Sequence, residues 1–85
     1  MYEVRFFSSA SKSLSLIDKT LSKRIINKIT WLSENIDNIN LLPLKSNLSG
    51  LYKLRIGDWR VIYDIDNIEK IVMIHKIGLR KDIYK

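Results

Sequence analysis

Cysteine is absent from the 85 residues, so neither a disulfide nor a thiolate metal site can hold this chain together. A reducing compartment is compatible with that composition. Proline occurs once and glycine three times, which leaves few obligatory breaks in regular structure. Histidine also occurs once, so no histidine cluster is available for a metal. No apolar run approaches the roughly 20 residues that cross a bilayer. The opening MYEVRFF is too short for the core of a signal peptide. A cytoplasmic location without a membrane partner is the expectation. Acids are scarce as well: 9 Asp and Glu face 15 Lys and Arg, for a formal net charge of +6 at pH 7. That balance favours nucleic acid, an anionic surface or an acidic protein as partner, without choosing among them.

What is present suits one globular domain spanning residues 1–85. Hydrophobic residues make up 46% of the chain. A chain of this size buries only about 60% of its unfolded surface, so its core is small but feasible. Tyr2, Val4 and Phe6 alternate with Glu3 and Arg5, which predicts a strand over 2–7. Ser8, Ser9 and Ser11 end it and offer a helix N-cap. Leu14, Ile17, Leu21, Ile25, Ile29, Leu32 and Ile36 then recur at three- and four-residue spacing, the apolar stripe of helical structure. Asp18 and Thr20 are start signals near its middle. Two helices are therefore expected, near 10–18 and 20–36. Residues 37–49, with Asp37, Asn38, Asn40, Pro43, Ser46, Asn47 and Ser49, read as a loop. Leu41, Leu42 and Leu44 are expected to pin part of it to the core. Gly50 opens the next element. Asp66 and Asn67 mark a turn, and Ile71–Ile77 has strand composition.

The densest information lies in LYKLRIGDWRVIYDID, residues 51–66. It reads as a β-hairpin closed by a two-residue Gly57-Asp58 turn. In that register Ile56 meets Trp59, Arg55 meets Arg60, and Lys53 meets Ile62. One face carries Tyr52, Leu54, Ile56, Trp59, Val61 and Tyr63. The other carries Lys53, Arg55 and Arg60. Like charges directly across two strands cost a sheet roughly 0.2–1 kcal/mol per pair. The charged face admits two readings, a solvated strand face or an anion site. The Arg55–Arg60 juxtaposition points to the second, because the planar guanidinium fork matches phosphate.

The order is β-α-α-β-β-β, an α+β fold. Local hairpins make the last three strands antiparallel. The helical pair must cover the aromatic-aliphatic face of the sheet, which leaves the Lys53–Arg55–Arg60 face open. Pairing of residue 65 with 70 across the next turn would place His75 opposite Arg60. A single strand histidine is also an ordinary packed or surface residue. Arg80 and Tyr84 follow Gly78, which lets the chain bend back toward the cationic face. Tyr84 could then stack on a base. A charged, frayed terminus is the plainer reading. Trp59 and Tyr63 share a face with Val61 and Leu54 and read as core, and Trp31 as core or partly exposed packing. Asp58, Asp64, Asp66 and Glu69 gather around turns and receive no chemical role. No Gly-rich phosphate loop, metal-ligand cluster or Ser-His-Asp order occurs.

The element order, the LYKLRIGDWRVIYDID hairpin and the IGLRKDIYK ending together resemble the RelE/ParE superfamily of toxins from type II toxin–antitoxin modules. The resemblance covers nearly the whole chain, and the hairpin and the tail are its specific parts. It implies a RelE-like, microbial-RNase-like fold, with an antiparallel sheet and a helical hairpin on one face. The retained basic residues resemble the RelE branch, whose members cleave mRNA in the ribosomal A site. ParE-type relatives share the fold and poison DNA gyrase. A non-catalytic nucleic-acid-binding module of the same fold is a further alternative. By this resemblance the catalytic set is Lys53, Arg55, Arg60, Arg80 and Tyr84, and the RNA-binding set is Lys53, Arg55, Arg60, Lys76 and Lys81. Many relatives read Gly-His-Arg where this chain has Gly78-Leu79-Arg80.

The implied chemistry needs no cofactor. The RNA 2′-hydroxyl attacks the adjacent phosphate. Arg55 and Arg60 hold that phosphate, and Arg80 stabilises the leaving oxygen. Lys53 is the candidate base, and Tyr84 stacks on a base. The resemblance also implies a RelB-like antitoxin, in complex with which the toxin is an oligomer, and the ribosome with its mRNA as partners.

Overall fold

The computed structural model describes residues 1–44 and 50–83. The elements are β1 (Glu3–Phe6), α1 (Ser8–Ser15), α2 (Lys19–Asn35), a 3₁₀ turn (Ile36–Asn38), β2 (Leu42–Pro43), β3 (Tyr52–Ile56), β4 (Trp59–Asp66), β5 (Ile71–Leu79) and α3 (Arg80–Ile83). They form a five-stranded sheet in the order β1-β5-β4-β3-β2. Among the described residues no helix is long and apolar enough to cross a membrane.

The helical stripe does break into two helices. Asp18 caps α2, its carboxylate accepting from the backbone N–H of Thr20 at 2.9 Å and of Leu21 at 3.2 Å. The first helix starts earlier than the serines suggested. The Phe7 carbonyl accepts from the N–H groups of Ala10 and Ser11, so Ser8 and Ser9 lie inside the first turn rather than capping it. The apolar side of both helices covers one face of the sheet. Ala10, Ile25, Ile29, Leu32 and Ile36 are buried against Leu54, Ile56, Val61, Tyr63, Val72, Ile74 and Ile77. Burying each large aliphatic side chain contributes about 1.5–3 kcal/mol. Trp31 stays at the surface, with the Lys28 ammonium 4.1 Å from its ring centroid.

The hairpin register is the expected one: Arg55 pairs with Arg60, Ile56 with Trp59 and Lys53 with Ile62. Gly57 takes a φ of 58°, the left-handed value that a two-residue hairpin turn asks of its first central residue. Strands β3, β4 and β5 are antiparallel, whereas β1 lies parallel to β5, so the sheet is mixed. The reason is connectivity. The chain leaves β1 through two helices and re-enters at the opposite edge, and the closing strand then fills the place beside β1.

Three other expectations need correction. Part of the 37–49 loop is a strand: Leu42 pairs with Lys53 and Pro43 with Tyr52 at the sheet edge, where proline is tolerated. Leu41, Leu42 and Leu44 do not pack on the core cluster; Ile39 does. Ser46, Asn47 and Ser49 lie outside the described residues. Finally, Asp66 pairs with Ile71, not Ile65 with Lys70. Asp66 accepts from the N–H groups of Ile68 and Glu69, and Lys70 takes a φ of 58°, so the four-residue turn sits one residue further along the chain than expected. A bulge opposite Ile62 and Tyr63 shifts the register again, so that Arg60 faces Gly78. His75 is therefore not the cross-strand neighbour of Arg60.

Burial of Tyr63 has a pH consequence. Its phenol is pushed up to about 12, chiefly by desolvation and further by the nearby Tyr52 phenol. The folded value lies above the ordinary one near 10, so the neutral phenol is what the fold favours. The associated stability is intact below about pH 10 and is lost as pH climbs toward 12. Thermal melts across that window should show a steep alkaline fall, and Tyr63→Phe should flatten it.

A candidate anion-binding groove

Lys53, Arg55, Asp58, Arg60, Leu79, Arg80 and Lys81 line a groove of about 910 Å³. Alternation on β3 sends Lys53 and Arg55 away from the helices. The antiparallel register places Arg60 beside Arg55. Across the next strand the neighbour of Arg60 is Gly78, which has no side chain to fill the space. Helix α3 exploits that gap. A Cβ built on Gly78 would stand 3.1 Å from Ile83 Cδ1, so Ile83 sits directly over the glycine. The Arg80 N–H also donates to the Asp58 carbonyl at 2.7 Å. Two contacts thus seat α3 against the sheet and the hairpin tip, and they bring Arg80 and Lys81 to the groove wall.

The face is less open than alternation alone implied. Arg60 is only 8% exposed, and Ile62 only 4%. Arg60 curls back, and its Nη1 donates to the carbonyls of Gly57 and Trp59, both at 2.8 Å. These acceptors are uncharged, so the tether fixes the guanidinium without neutralising it. A guanidinium has five N–H donors. Those on Nε and Nη2 remain for a ligand. Among the described residues, no carboxylate forms an ion pair with Lys53, Arg55, Arg60, Arg80 or Lys81. Asp58 is the one acid in the groove wall. Such a concave cluster of cations, one of them tethered, suits an anion.

Five of the expected site residues, Lys53, Arg55, Arg60, Arg80 and Lys81, therefore come together. Lys76 does not join them. It stands across Ile62 from Lys53 on the third strand of that row and lines a smaller depression of about 300 Å³ with Ser9, Ser13 and Ile83. Tyr84 lies outside the described residues. Leu79 supplies an apolar wall and no titratable group. Sequence reasoning missed Asp58 in the wall and the pairing of His75 Nε2 with Asp64 Oδ2 at 2.7 Å. Asp58 was within reach, since a hairpin tip must border whatever its two strands flank. Among the described residues no group of three or more histidines and carboxylates could hold a metal ion.

Comparison with known proteins supplies a family. A search of curated proteins finds no match. Among solved structures, the toxin–antitoxin complex RelBE2 from Mycobacterium tuberculosis is similar at 26% identity, with 93% of this chain and 98% of that chain covered and a TM-score of 0.82. The archaeal RelE–RelB complex from Pyrococcus horikoshii OT3 is similar at 26% identity, covering 95% and 97%, with a TM-score of 0.70. The isolated E. coli RelE toxin shares the fold at 19% identity, covering 99% and 92%, with a TM-score of 0.79. Residues 4–84 match the family described as the ParE toxin of type II toxin-antitoxin system, parDE. That match spans the helices, the hairpin and the groove alike, and the chain belongs to this family of type II toxins, built on the fold that RelE toxins share.

Proposed function

We propose that the chain is a ribosome-dependent endoribonuclease toxin that cleaves mRNA in the cytoplasm and so stops translation. The observation that carries this reading is the groove: five cations line one concavity, and no carboxylate pairs with any of them among the described residues. A polyanion is the natural occupant of such a site, and RNA brings its own nucleophile. The 2′-hydroxyl attacks the neighbouring phosphorus and the 5′-oxygen leaves, giving a 2′,3′-cyclic phosphate. Charge builds on the phosphoryl oxygens, and preorganised donors aimed at that charge are usually the largest catalytic contribution.

In this reading tethered Arg60 and exposed Arg55 clamp the scissile phosphate. Lys53 acts in its neutral form and accepts the 2′-hydroxyl proton, Arg80 stabilises the leaving 5′-oxygen, which takes its proton from water, and Lys81 holds the flanking backbone. Tyr84 stacks on a base to keep the bent geometry, and Lys76 guides RNA toward the groove. The set lacks a histidine in the groove, which agrees with a dependence on the ribosome to orient the strand. The M. tuberculosis and P. horikoshii structures are toxin–antitoxin complexes. A RelB-like antitoxin, acidic where it meets the groove, is accordingly the expected partner in the resting state.

Induction in a bacterium, followed by mapping of mRNA 5′ ends, tests the reading. Codon-phased cuts are expected. Intact mRNA with accumulating DNA damage, the outcome of a gyrase poison, would overturn it. Intact mRNA with neither damage nor growth arrest would leave a simple binding module. A second expectation concerns α3. Gly78→Val puts a branched side chain beneath Ile83 and lifts Arg80 and Lys81 from the wall. Misplacement of about 1 Å can cost a hundredfold in rate, so cleavage in a translating extract should fall by about that factor while the melting temperature changes little.

A further inference from the structure

Beyond the groove, the same face of the sheet carries a polar cluster that the proposed chemistry leaves unused. Core-facing residues on β5 are Val72, Ile74 and Ile77. The last two are three apart, where a regular strand would space them by two. This is the bulge opposite Ile62 and Tyr63. Its effect is to turn two consecutive side chains, His75 and Lys76, toward the groove side. Asp64 reaches that side by ordinary alternation from Arg60 and Ile62.

The cluster is organised. His75 Nε2 lies 2.7 Å from Asp64 Oδ2. The Phe7 ring meets the His75 ring edge-on, with centroids 4.4 Å apart and planes at 71°. Ser9 Oγ donates to the His75 carbonyl at 3.1 Å and holds the bulge to the start of α1. Phe7 is nevertheless 45% exposed, an aromatic surface without a cover. Asp64 Oδ1 has no hydrogen-bond partner among the described residues. A carboxylate repels phosphate. What it recognises in a nucleic acid is an exocyclic amine. Exposed aromatic rings stack bases, and Lys76 alongside suits the linking phosphate. Asp64 lies four residue steps along β4 from Arg60, about 13 Å, which an extended single strand spans in a couple of nucleotides.

We propose that Phe7, Asp64 and His75 form a base-binding subsite for single-stranded RNA, which takes a nucleotide flanking the one held in the groove and prefers cytosine or adenine to uracil. The proposal rests on RNA being the occupant of the groove. A His–Asp pair that served only the fold would be indifferent to the base.

Fluorescence anisotropy with the full chain distinguishes the two. The probes are hexanucleotides of cytidine, adenosine or uridine, with 2′-O-methyl groups so that they cannot be cut. The cytidine and adenosine probes are expected to bind about fivefold to tenfold more tightly than the uridine probe. Asp64→Asn keeps the shape but offers an amide that serves uracil as well, and it should erase the preference. His75→Ala, which frees the carboxylate to swing, should erase it too. Circular dichroism melting confirms that each variant is folded. No preference in the unaltered protein, or an undiminished preference in folded Asp64→Asn, overturns the subsite. Cleavage in a translating extract is a separate readout. Base preference without cleavage keeps the subsite and removes the nuclease; cleavage without preference does the reverse.

Discussion

Alanine at both Lys53 and Arg55 lowers mRNA cleavage in a translating extract by about a thousandfold or more and leaves the melting temperature where it was. The size follows from the role. Losing one preorganised donor at a developing charge costs about 10²–10³ in rate, and this pair removes a phosphate ligand and the base together. The unchanged stability follows from the structure. Among the described residues neither side chain makes a hydrogen bond or an ion pair. Removing Arg55 also relieves its like-charge pairing with Arg60, by roughly 0.2–1 kcal/mol. Arg60 is the less informative target. Its truncation orphans the carbonyls of Gly57 and Trp59 at the hairpin tip, so loss of activity and loss of structure would arrive together. Undiminished cleavage by the Lys53→Ala, Arg55→Ala protein would end the mechanism proposed for the groove.

Ile74→Ala should have the largest effect on the fold. Ile74 is fully buried on β5, between the parallel strand β1 and the antiparallel strand β4. Removing an aliphatic side chain from such a position costs about 2–5 kcal/mol, because little can move in to close the cavity. A small domain has only about 5–15 kcal/mol in total. The denaturation midpoint in urea should therefore fall steeply with an unchanged slope. Activity measured on the remaining folded fraction should hold, since Ile74 faces away from the groove. A loss below about 1 kcal/mol would mean that the core does not sit where β5 and the helices meet.

These expectations differ in how far they could be read from sequence. The hairpin was legible in full. A two-residue turn with glycine first fixes the register, and register fixes which side chains share a face. Hence Lys53, Arg55 and Arg60 could be grouped before any coordinates. The β4–β5 register was not legible, because Ile71–Ile77 is apolar on both faces and gives alternation nothing to act on. A bulge has no residue signature there, and it alone decides where His75 goes. The parallel place of β1 depends on connectivity across the whole chain, which no local pattern carries. Helix α3 is four residues, too short for periodicity, and its seat depends on Ile83 finding the space over Gly78. The tether on Arg60 was hidden for a different reason. Its acceptors are backbone carbonyls, which every sequence contains and none advertises. A frame of alternating charges therefore predicted the cations, and it missed the contacts that make one of them rigid.

The central claim is that the clustered cations of this groove let RNA cut itself with its own 2′-hydroxyl. The chemistry of the cut ends tests it most directly. In a purified translation system programmed with a defined message, the upstream fragment should end in a 2′,3′-cyclic phosphate and the downstream fragment should begin with a 5′-hydroxyl. Fragments that carry a 3′-hydroxyl and a 5′-phosphate, or a message that stays whole while translation stops, would contradict it.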